Sequence, residues 1–465
     1  MPLFRPLAAV VLALCLGAPV TAQENAGAYL AARIAGSNDD FREAASWYTR
    51  ALIADPANLQ LMDGAIGANL NAGNFDAAVA VAQRMQSKGP TSQSAHLVLT
   101  ADQARRGDFA SIVADLDAGK TTGKLLDGLV RAWAELGRGQ MSDALGNFDA
   151  LGEESGLKAF ALYHKAMALA SVGDFEGADA ILSDPALRLT RRGSMARAQI
   201  LSQIERAPDA LALLEKEFPG EADPTVQGMK ATLSAGTPLP FDIVRNATDG
   251  LAETFYTLAG ALSSDASPTY TLLYARVAMI LRGDHPEAIL LAAQLLEQLE
   301  QYDLAVETFA KIPPADGSFF AAEIGRARAL ERADKADAAI EVLRALARSH
   351  NGIVSVHLAL GDALRRQERF AEAETAYDEA LARTNDEAPD AWSIHYSRAI
   401  VLERQKKWDL AEPDFRKALA LNPEQPQVLN YLGYSLLERN EKLEEALEMI
   451  NRAVAQSPDS GYIVD

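Results

Sequence analysis

The sequence predicts an all-α fold: a solenoid of about twelve helix-turn-helix repeats in two blocks. Three observations carry that expectation. Small residues recur with a period close to 34. Alanine and leucine supply most of the apolar content, and glycine, Asn/Asp and proline fall at a fixed phase between the helical stretches.

The period comes first. A small residue, usually alanine, stands at Ala44, Ala78, Ile112, Ala144, Ala178 and Ala210, spaced by 34, 34, 32, 34 and 32 residues. It resumes at Ala305, Ala339, Ala373, Ala411 and Ala446, spaced by 34, 34, 38 and 35. Four residues later come Tyr48, Ala82, Leu116, Phe148, Leu182, Leu214, Phe309, Leu343, Tyr377, Phe415 and Ile450. Positions i and i+4 share one helix face. Twelve residues before the first set lies a second, with Ala32, Ala132, Ala166, Ala198, Ala293, Ala327, Gly361 and Ala399. Small side chains on two consecutive helices let the axes approach, as an antiparallel helical hairpin requires.

Composition agrees. Hydrophobic residues make up 49% of the 465, but aromatics only 7%, a balance that suits close-packed helices better than sheets. The length exceeds what one ordinary core organises, so several domains or a repeat array is expected. With 44 Lys+Arg against 64 Asp+Glu, the formal charge of -20 repels phosphate backbones and anionic lipid. No nucleic-acid partner is expected.

The punctuation follows. Gly73-Asn74-Phe75, Gly107-Asp108-Phe109 and Gly173-Asp174-Phe175 recur at one phase. Glycine suits the left-handed residue that ends a helix, and Asn or Asp caps the next. Pro56, Pro90, Pro423 and Pro458 fall at repeat ends, where a missing N–H stops propagation.

These features resemble the tetratricopeptide repeat family. The best local matches are Tyr431-Leu432-Gly433, Leu436, Ala446, Ile450, Ala453 and Pro458, with one extra turn residue, and Leu360-Gly361, Leu364, Phe370, Ala373, Tyr377 and Ala380. The resemblance implies a right-handed superhelix whose first helices line a concave groove for an extended or helical peptide. Groove-facing positions would be Arg328, Arg332, Arg365, Arg366, Tyr396, Arg404, Asn430 and Tyr434. Arginine and tyrosine combine contact area with directional hydrogen bonds. Glu331, Asp362, Glu403 and Glu438 share that surface, so a wall of internal ion pairs is the competing expectation. The Lys/Asn/Arg clamp that some members use for a C-terminal carboxylate is not matched.

Two stretches depart from the period. Ala210 and Ala305 are 95 residues apart, and the segment between them holds Pro219, Gly220, Pro224, Gly228, Gly236, Pro238 and Pro240. It reads as a degenerate repeat and linker over 220–246, between blocks at 23–219 and 247–465, with a unit resuming near Leu258-Ala259. The last hairpin is followed only by Gly461-Tyr462-Ile463-Val464-Asp465. A solenoid needs a polar capping helix, and the natural protein is therefore expected to continue with a further repeat and cap.

The N-terminus carries an address. Arg5 precedes the apolar run Leu7 to Leu16, a break at Gly17-Ala18-Pro19, and the small-residue site Val20-Thr21-Ala22. This predicts a signal peptide over residues 1–22, cleaved after Ala22, and a periplasmic mature chain with no membrane insertion. Cys15 lies inside the leader and follows Leu14, which excludes a lipoprotein site. The mature chain would hold no cysteine, disulfide or thiolate metal ligand.

The search for catalytic motifs finds no Gly-rich phosphate loop ending in Gly-Lys-Ser/Thr, no Gly-x-Ser-x-Gly turn and no His-Glu-x-x-His helix. His357 and His395 occupy equivalent places on neighbouring first helices, and without a third ligand they read as packing residues. No catalytic residue, cofactor or metal is expected. The sequence therefore points to an exported scaffold or adaptor for a protein or peptide partner, in cell-envelope assembly. The alternative is the substrate-presenting arm of an enzyme whose catalytic part lies beyond residue 465. Partner identity and oligomeric state stay open.

Overall fold

The computed structural model describes residues 20–464, apart from 90, 220–222, 386–387 and 389–390. Of the expected leader, residues 1–19 and with them Cys15 lie outside the described residues. Among the described residues all regular structure is helical, and no helix is long and apolar enough to cross a membrane.

The chain divides into two compact units, Met1–Glu221 with Val226–Leu304, and Ala222–Thr225 with Ala305–Asp465. Unit one begins with six hairpins: α1 (Val20–Ser37) with α2 (Phe41–Ala54), α3 (Leu59–Asn71) with α4 (Phe75–Gln86), α5 (Gln93–Arg105) with α6 (Phe109–Asp117), α7 (Lys124–Gly137) with α8 (Met141–Gly152), α9 (Lys158–Ser171) with α10 (Phe175–Leu182), and α11 (Arg191–Gln203) with α12 (Ala207–Glu217). Within 220–246, read above as a linker, α13 (Pro224–Ser234) forms. Then follow α14 (Ala247–Leu262), α15 (Pro268–Leu281) and α16 (Pro286–Gln298), and α17 (Tyr302–Phe309) straddles the division. Unit two holds α18 (Phe319–Arg332) with α19 (Ala336–Ser349), α20 (Val354–Arg366) with α21 (Phe370–Leu381), α22 (Ala391–Arg404) with α23 (Trp408–Leu421), α24 (Pro426–Glu438) with α25 (Leu443–Gln456), and the short α26 (Gly461–Val464).

The periodic small residue occupies one structural position throughout. From Ala44 to Ala446, each member is the fourth residue of the second helix of its hairpin, and each is at most 1% exposed. The large residue four places on is buried in nine cases and half-buried at Leu116 and Ile450. In several hairpins it rests on a first-helix glycine. A Cβ at Gly361 would lie 2.5 Å from the Tyr377 ring, and one at Gly325 would lie 2.5 Å from Phe309. Glycine is required at these positions for close approach. Each buried side chain of this size stabilises by about 1.5–3 kcal/mol.

The turns take the expected form in unit one. Gly73, Gly107 and Gly173 have φ of 88°, 72° and 90°, and Asp108 and Asp174 accept from the backbone N–H of Ser111 (3.2 Å) and Gly177 (2.9 Å). Asn74 makes no side-chain cap. The same left-handed conformation is reached without glycine at Asp39, Glu205 and Glu300 in unit one and at Asp334, Glu368, Lys406 and Asn440 in unit two. The helix-closing bonds match: Asn74 N–H donates to the Asn69 carbonyl (2.8 Å) in unit one, and Arg369 N–H to that of Leu364 (2.9 Å) in unit two.

The middle of the chain departs from simple stacking. The unit expected near Leu258-Ala259 does form a hairpin, α14 and α15, but it crosses the first helices of unit one. Helix α14 packs on α7 and α9, and α15 on α5 and α3. Gly250 lies flat against the Trp133 ring, with no room for a Cβ. Trp133 Nε1 donates to His164 Nδ1 (3.2 Å). Gln93 Nε2 donates to Tyr270 Oη (2.7 Å), and Arg276 Nη2 to the Asn71 carbonyl (3.0 Å). Residues 271–279 of α15 are buried without interruption, as befits a helix enclosed on every side.

Candidate functional site

In unit two the first helices α18, α20, α22 and α24 carry the eight groove positions, and α20 touches both α18 and α22. A face of this kind forms because the small residues of each first helix point toward its own second helix. Its remaining side chains are left on the inner surface.

Part of the wall is paired internally. Arg366 Nη2 donates to Glu331 at 2.7 Å. Arg365 stands 3.5 Å from Asp362 and donates through Nε to Tyr377 Oη (3.3 Å), while the Tyr377 hydroxyl donates to Asp362 at 2.7 Å. Burial first, and then the Asp362 carboxylate, push the Tyr377 phenol well above its ordinary value. These two arginines hold the repeat together as much as they decorate its face.

The rest of the set is differently engaged. Arg328 and Arg332 are exposed on α18. Arg404 is exposed and sets its guanidinium 5.6 Å over the Phe370 ring. Tyr396 is half-buried, with ring centroids 6.1 Å from both Phe415 and Tyr431. Tyr431, absent from the sequence-derived set, completes this aromatic group: it stacks on Phe415 at 5.3 Å and donates to Glu403 at 3.2 Å. Its signal was the tyrosine beginning the Tyr-Leu-Gly match, which was used there only to fix the repeat.

Asn430 and Tyr434 lie four residues apart on one face of α24. Tyr434 is half-buried, whereas Asn430 is 3% exposed and its Oδ1 has no hydrogen-bond partner. An orphaned buried acceptor costs about 1–3 kcal/mol, so a donor arriving from a ligand would recover energy already spent in folding.

The histidine pair sits apart from this group. His357 bonds through Nε2 to the Asn351 carbonyl (2.8 Å), and His395 Nδ1 lies 3.0 Å from Asp414. Asp414 also accepts from Arg398 at 2.6 and 2.8 Å. Burial works against its charge, but Arg398 and His395 outweigh it and hold the carboxyl below its ordinary value. Both histidines thus brace helices.

Comparison with known proteins places the repeats in context. A family model described as tetratricopeptide repeat matches residues 29–93, 324–391, 358–426 and 396–461. A TPR repeat-containing protein of Pseudomonas aeruginosa is 26% identical over 173 residues, which are 37% of this chain and 28% of that protein. A lipoprotein NlpI homolog of Haemophilus influenzae is 41% identical over 71 residues, 15% of this chain and 21% of that one. The chain thus spans under a third of the length of the curated relatives it matches. Among solved structures, the APC/C hetero-tetramer Cut9-Hcn1 aligns with 94% of this chain and 95% of its own, at 11% identity and a TM-score of 0.39.

Proposed function

We propose, from the premise that this chain belongs to the tetratricopeptide repeat family, that it is an exported, periplasmic adaptor without catalytic activity of its own. It holds a segment of a protein partner on the inner face of unit two. The observation that carries this reading is Asn430. Its Oδ1 is buried and unpartnered, and it shares a helix face with Tyr434. A backbone N–H of a bound segment supplies the missing donor, and the tyrosines supply rigid contact area at little entropic cost. Arg328, Arg332 and Arg404, exposed on the same set of first helices, favour a segment carrying carboxylates. Arg365 and Arg366 lie on the same set of helices and are engaged by Asp362 and Glu331.

Export rests on the residues 1–22 pattern and is a separate claim. N-terminal sequencing of the protein from a Gram-negative envelope fraction is expected to start at Gln23, and recovery of Met1 from the cytoplasm would overturn it.

The binding claim is tested by capture from envelope extracts, comparing the unaltered chain with Asn430→Ala and with Arg366→Glu. Partners retained by the first are expected to be lost from Asn430→Ala and reduced in Arg366→Glu, with the helical signal of both variants retained. Equal recovery on all three would place recognition elsewhere.

A further inference from the structure

Unit one contains a cavity that the adaptor reading does not use. It lies where α14 leans away from α9, has a volume of about 490 Å³, and is walled by Ala159 and Phe160 of α9, Leu187 and Leu189 of the following segment, and Gly260 and Ala261 of α14. The volume falls within the roughly 300–1,000 Å³ of small-molecule sites. Small residues on both walls explain why this space stays open: a Cβ at Gly260 would meet no atom within 4 Å.

The floor is polar but internally satisfied. Arg192, 6% exposed, donates through Nε to Glu253 (2.9 and 3.0 Å) and through Nη1 to Glu287 (2.7 Å). The Tyr163 hydroxyl donates to Glu253 at 2.8 Å, and His285 Nε2 lies 3.3 Å from the same carboxylate. The one guanidinium at depth is already engaged by two carboxylates, so no cation there is left for a ligand and its buried part must be apolar. The mouth has the opposite character. Exposed Arg188 lines it, together with Arg191 at the start of α11 and the capping Thr190, whose hydroxyl accepts from Gly193 N–H (3.2 Å). The positive end of α11 and the Arg188 guanidinium favour negative charge at that level, while Arg191 sets its guanidinium 5.0 Å over the Phe218 ring.

We propose that this cavity binds a small amphipathic anion: an apolar chain seated against Phe160, Leu187 and Leu189, with a carboxylate head held at the mouth by Arg188. The site is built by α14 crossing α9. It therefore exists because the α14–α15 hairpin turns inward over the first helices, and it is independent of the face on unit two.

The test uses the whole mature chain and two probes of equal tail length, dodecanoate and dodecyltrimethylammonium, titrated calorimetrically. Dodecanoate is expected to bind one-to-one, at least about tenfold tighter than the cationic probe. Arg188→Glu should remove most of that difference. Gly260→Phe should abolish binding of dodecanoate while the helical signal and melting are retained, because the new side chain enters open space and a helix-interior glycine is lost. No saturation by dodecanoate up to about 1 mM, equal affinity for the two probes, or full binding by folded Gly260→Phe would each overturn the proposal. Partner capture through unit two should be unaffected by either variant, which separates this site from the adaptor function.

Discussion

The first helices of the two units are built by the same rule and used differently. In unit one, Trp133, His164 and Arg192 are buried and Tyr163 half-buried, and α14 sets Glu253, itself buried, among them. In unit two the equivalent surface carries Arg328, Arg332, Arg404 and Tyr434, exposed or half-buried, and one buried amide with an unused acceptor. The repeat therefore specifies how hairpins stack but leaves the inner face to be chosen. In unit one the chain supplies its own occupant, and most polar groups there find internal partners, although Asn71 Oδ1 on α3 stays buried and unpartnered. In unit two the orphaned Asn430 acceptor is joined by exposed arginines on the same set of first helices, and that combination makes the face a candidate for recognition.

The contrast breaks most visibly at Glu253. Its side chain is fully buried and receives Arg192, Tyr163 and His285, so Glu253→Ala leaves the buried Arg192 guanidinium with Glu287 and the Ile243 carbonyl. Losing one partner of a buried pair costs about 3–5 kcal/mol. Hydrogen exchange on the whole chain should show protection falling in α11 and α14, while α20 to α22 keep theirs. Uniform loss across both units would show that the inner hairpin is not a separate cooperative element.

Acid should separate the units next. His164 accepts at Nδ1 from Trp133 and faces the Thr257 hydroxyl through Nε2 (3.1 Å), while Thr257 donates to the Thr254 carbonyl. That arrangement fits the neutral ring with its proton on Nε2. Burial lowers the pKa from 6.5 to about 4. The unfolded chain binds this proton more readily than the folded one, so stability is lost as pH falls from 6.5 toward 4, by about 3 kcal/mol at pH 4. Glu287, held at about 2 against the opposing effect of burial by Arg192 and His285, adds to the loss below its ordinary range near 4.5. In unit two, Asp414 and Glu412 are held below their ordinary values and stay charged through the upper part of that window. Urea midpoints at pH 7 and pH 5 should therefore fall further for unit one, and His164→Gln should flatten its slope. An unchanged slope would mean the ring is protonated in the fold.

The stacking layer, by contrast, should not distinguish the units. Ala144 and Ala373 are both fully buried at the fourth position of a second helix, so Ala144→Leu and Ala373→Leu should each destabilise by about 1–3 kcal/mol through overpacking. Exposed Glu372, one residue along and paired with Arg344 and Arg369, should cost under about 1 kcal/mol as Glu372→Leu. A large difference between the two alanine variants would show that the hairpins are not equivalent.

What the sequence disclosed follows the same division. The position of Ala44 and its ten counterparts was legible because it depends on local period alone, and the eleven recurrences fix its phase. The course of α14 and α15 was not, since Arg276 meets Asn71 across 205 residues and a short apolar hairpin looks alike whether it stacks or turns inward. One signal was available: Thr271 to Met279 is apolar around nearly its whole circumference, which a stacked first helix with an outer polar stripe would not be. On unit two, Asn430 and Tyr434 were assigned to the groove by the family resemblance, and their i, i+4 spacing gives them one helix face. The engagement of Arg365 with Tyr377 did not, because it depends on the neighbouring helix.

The smallest expected effect lies in the turns, where glycine closes some hairpins of unit one and a residue with a full side chain closes others in both units. Gly107 meets its positive φ of 72° without strain, whereas Glu368 and Lys406 hold 56° and 63° with a full side chain. For an L-residue that conformation costs roughly 1–2 kcal/mol, and glycine's greater freedom in the unfolded chain returns about 0.5–1 of it. Glu368→Gly and Lys406→Gly should therefore raise stability by a few tenths to about 1 kcal/mol, and Gly107→Ala should lower it by a similar amount. Asn440, at 56°, is the internal control, because asparagine visits this region readily, so Asn440→Gly should change little. Scanning calorimetry of the four single variants decides the matter. If Glu368→Gly is neutral while Gly107→Ala is costly, the side chain of Glu368 contributes something the turn geometry does not contain. If all four are neutral, the helix-closing bonds of Asn74 and Arg369, rather than the residue at the left-handed position, set the stability of these turns.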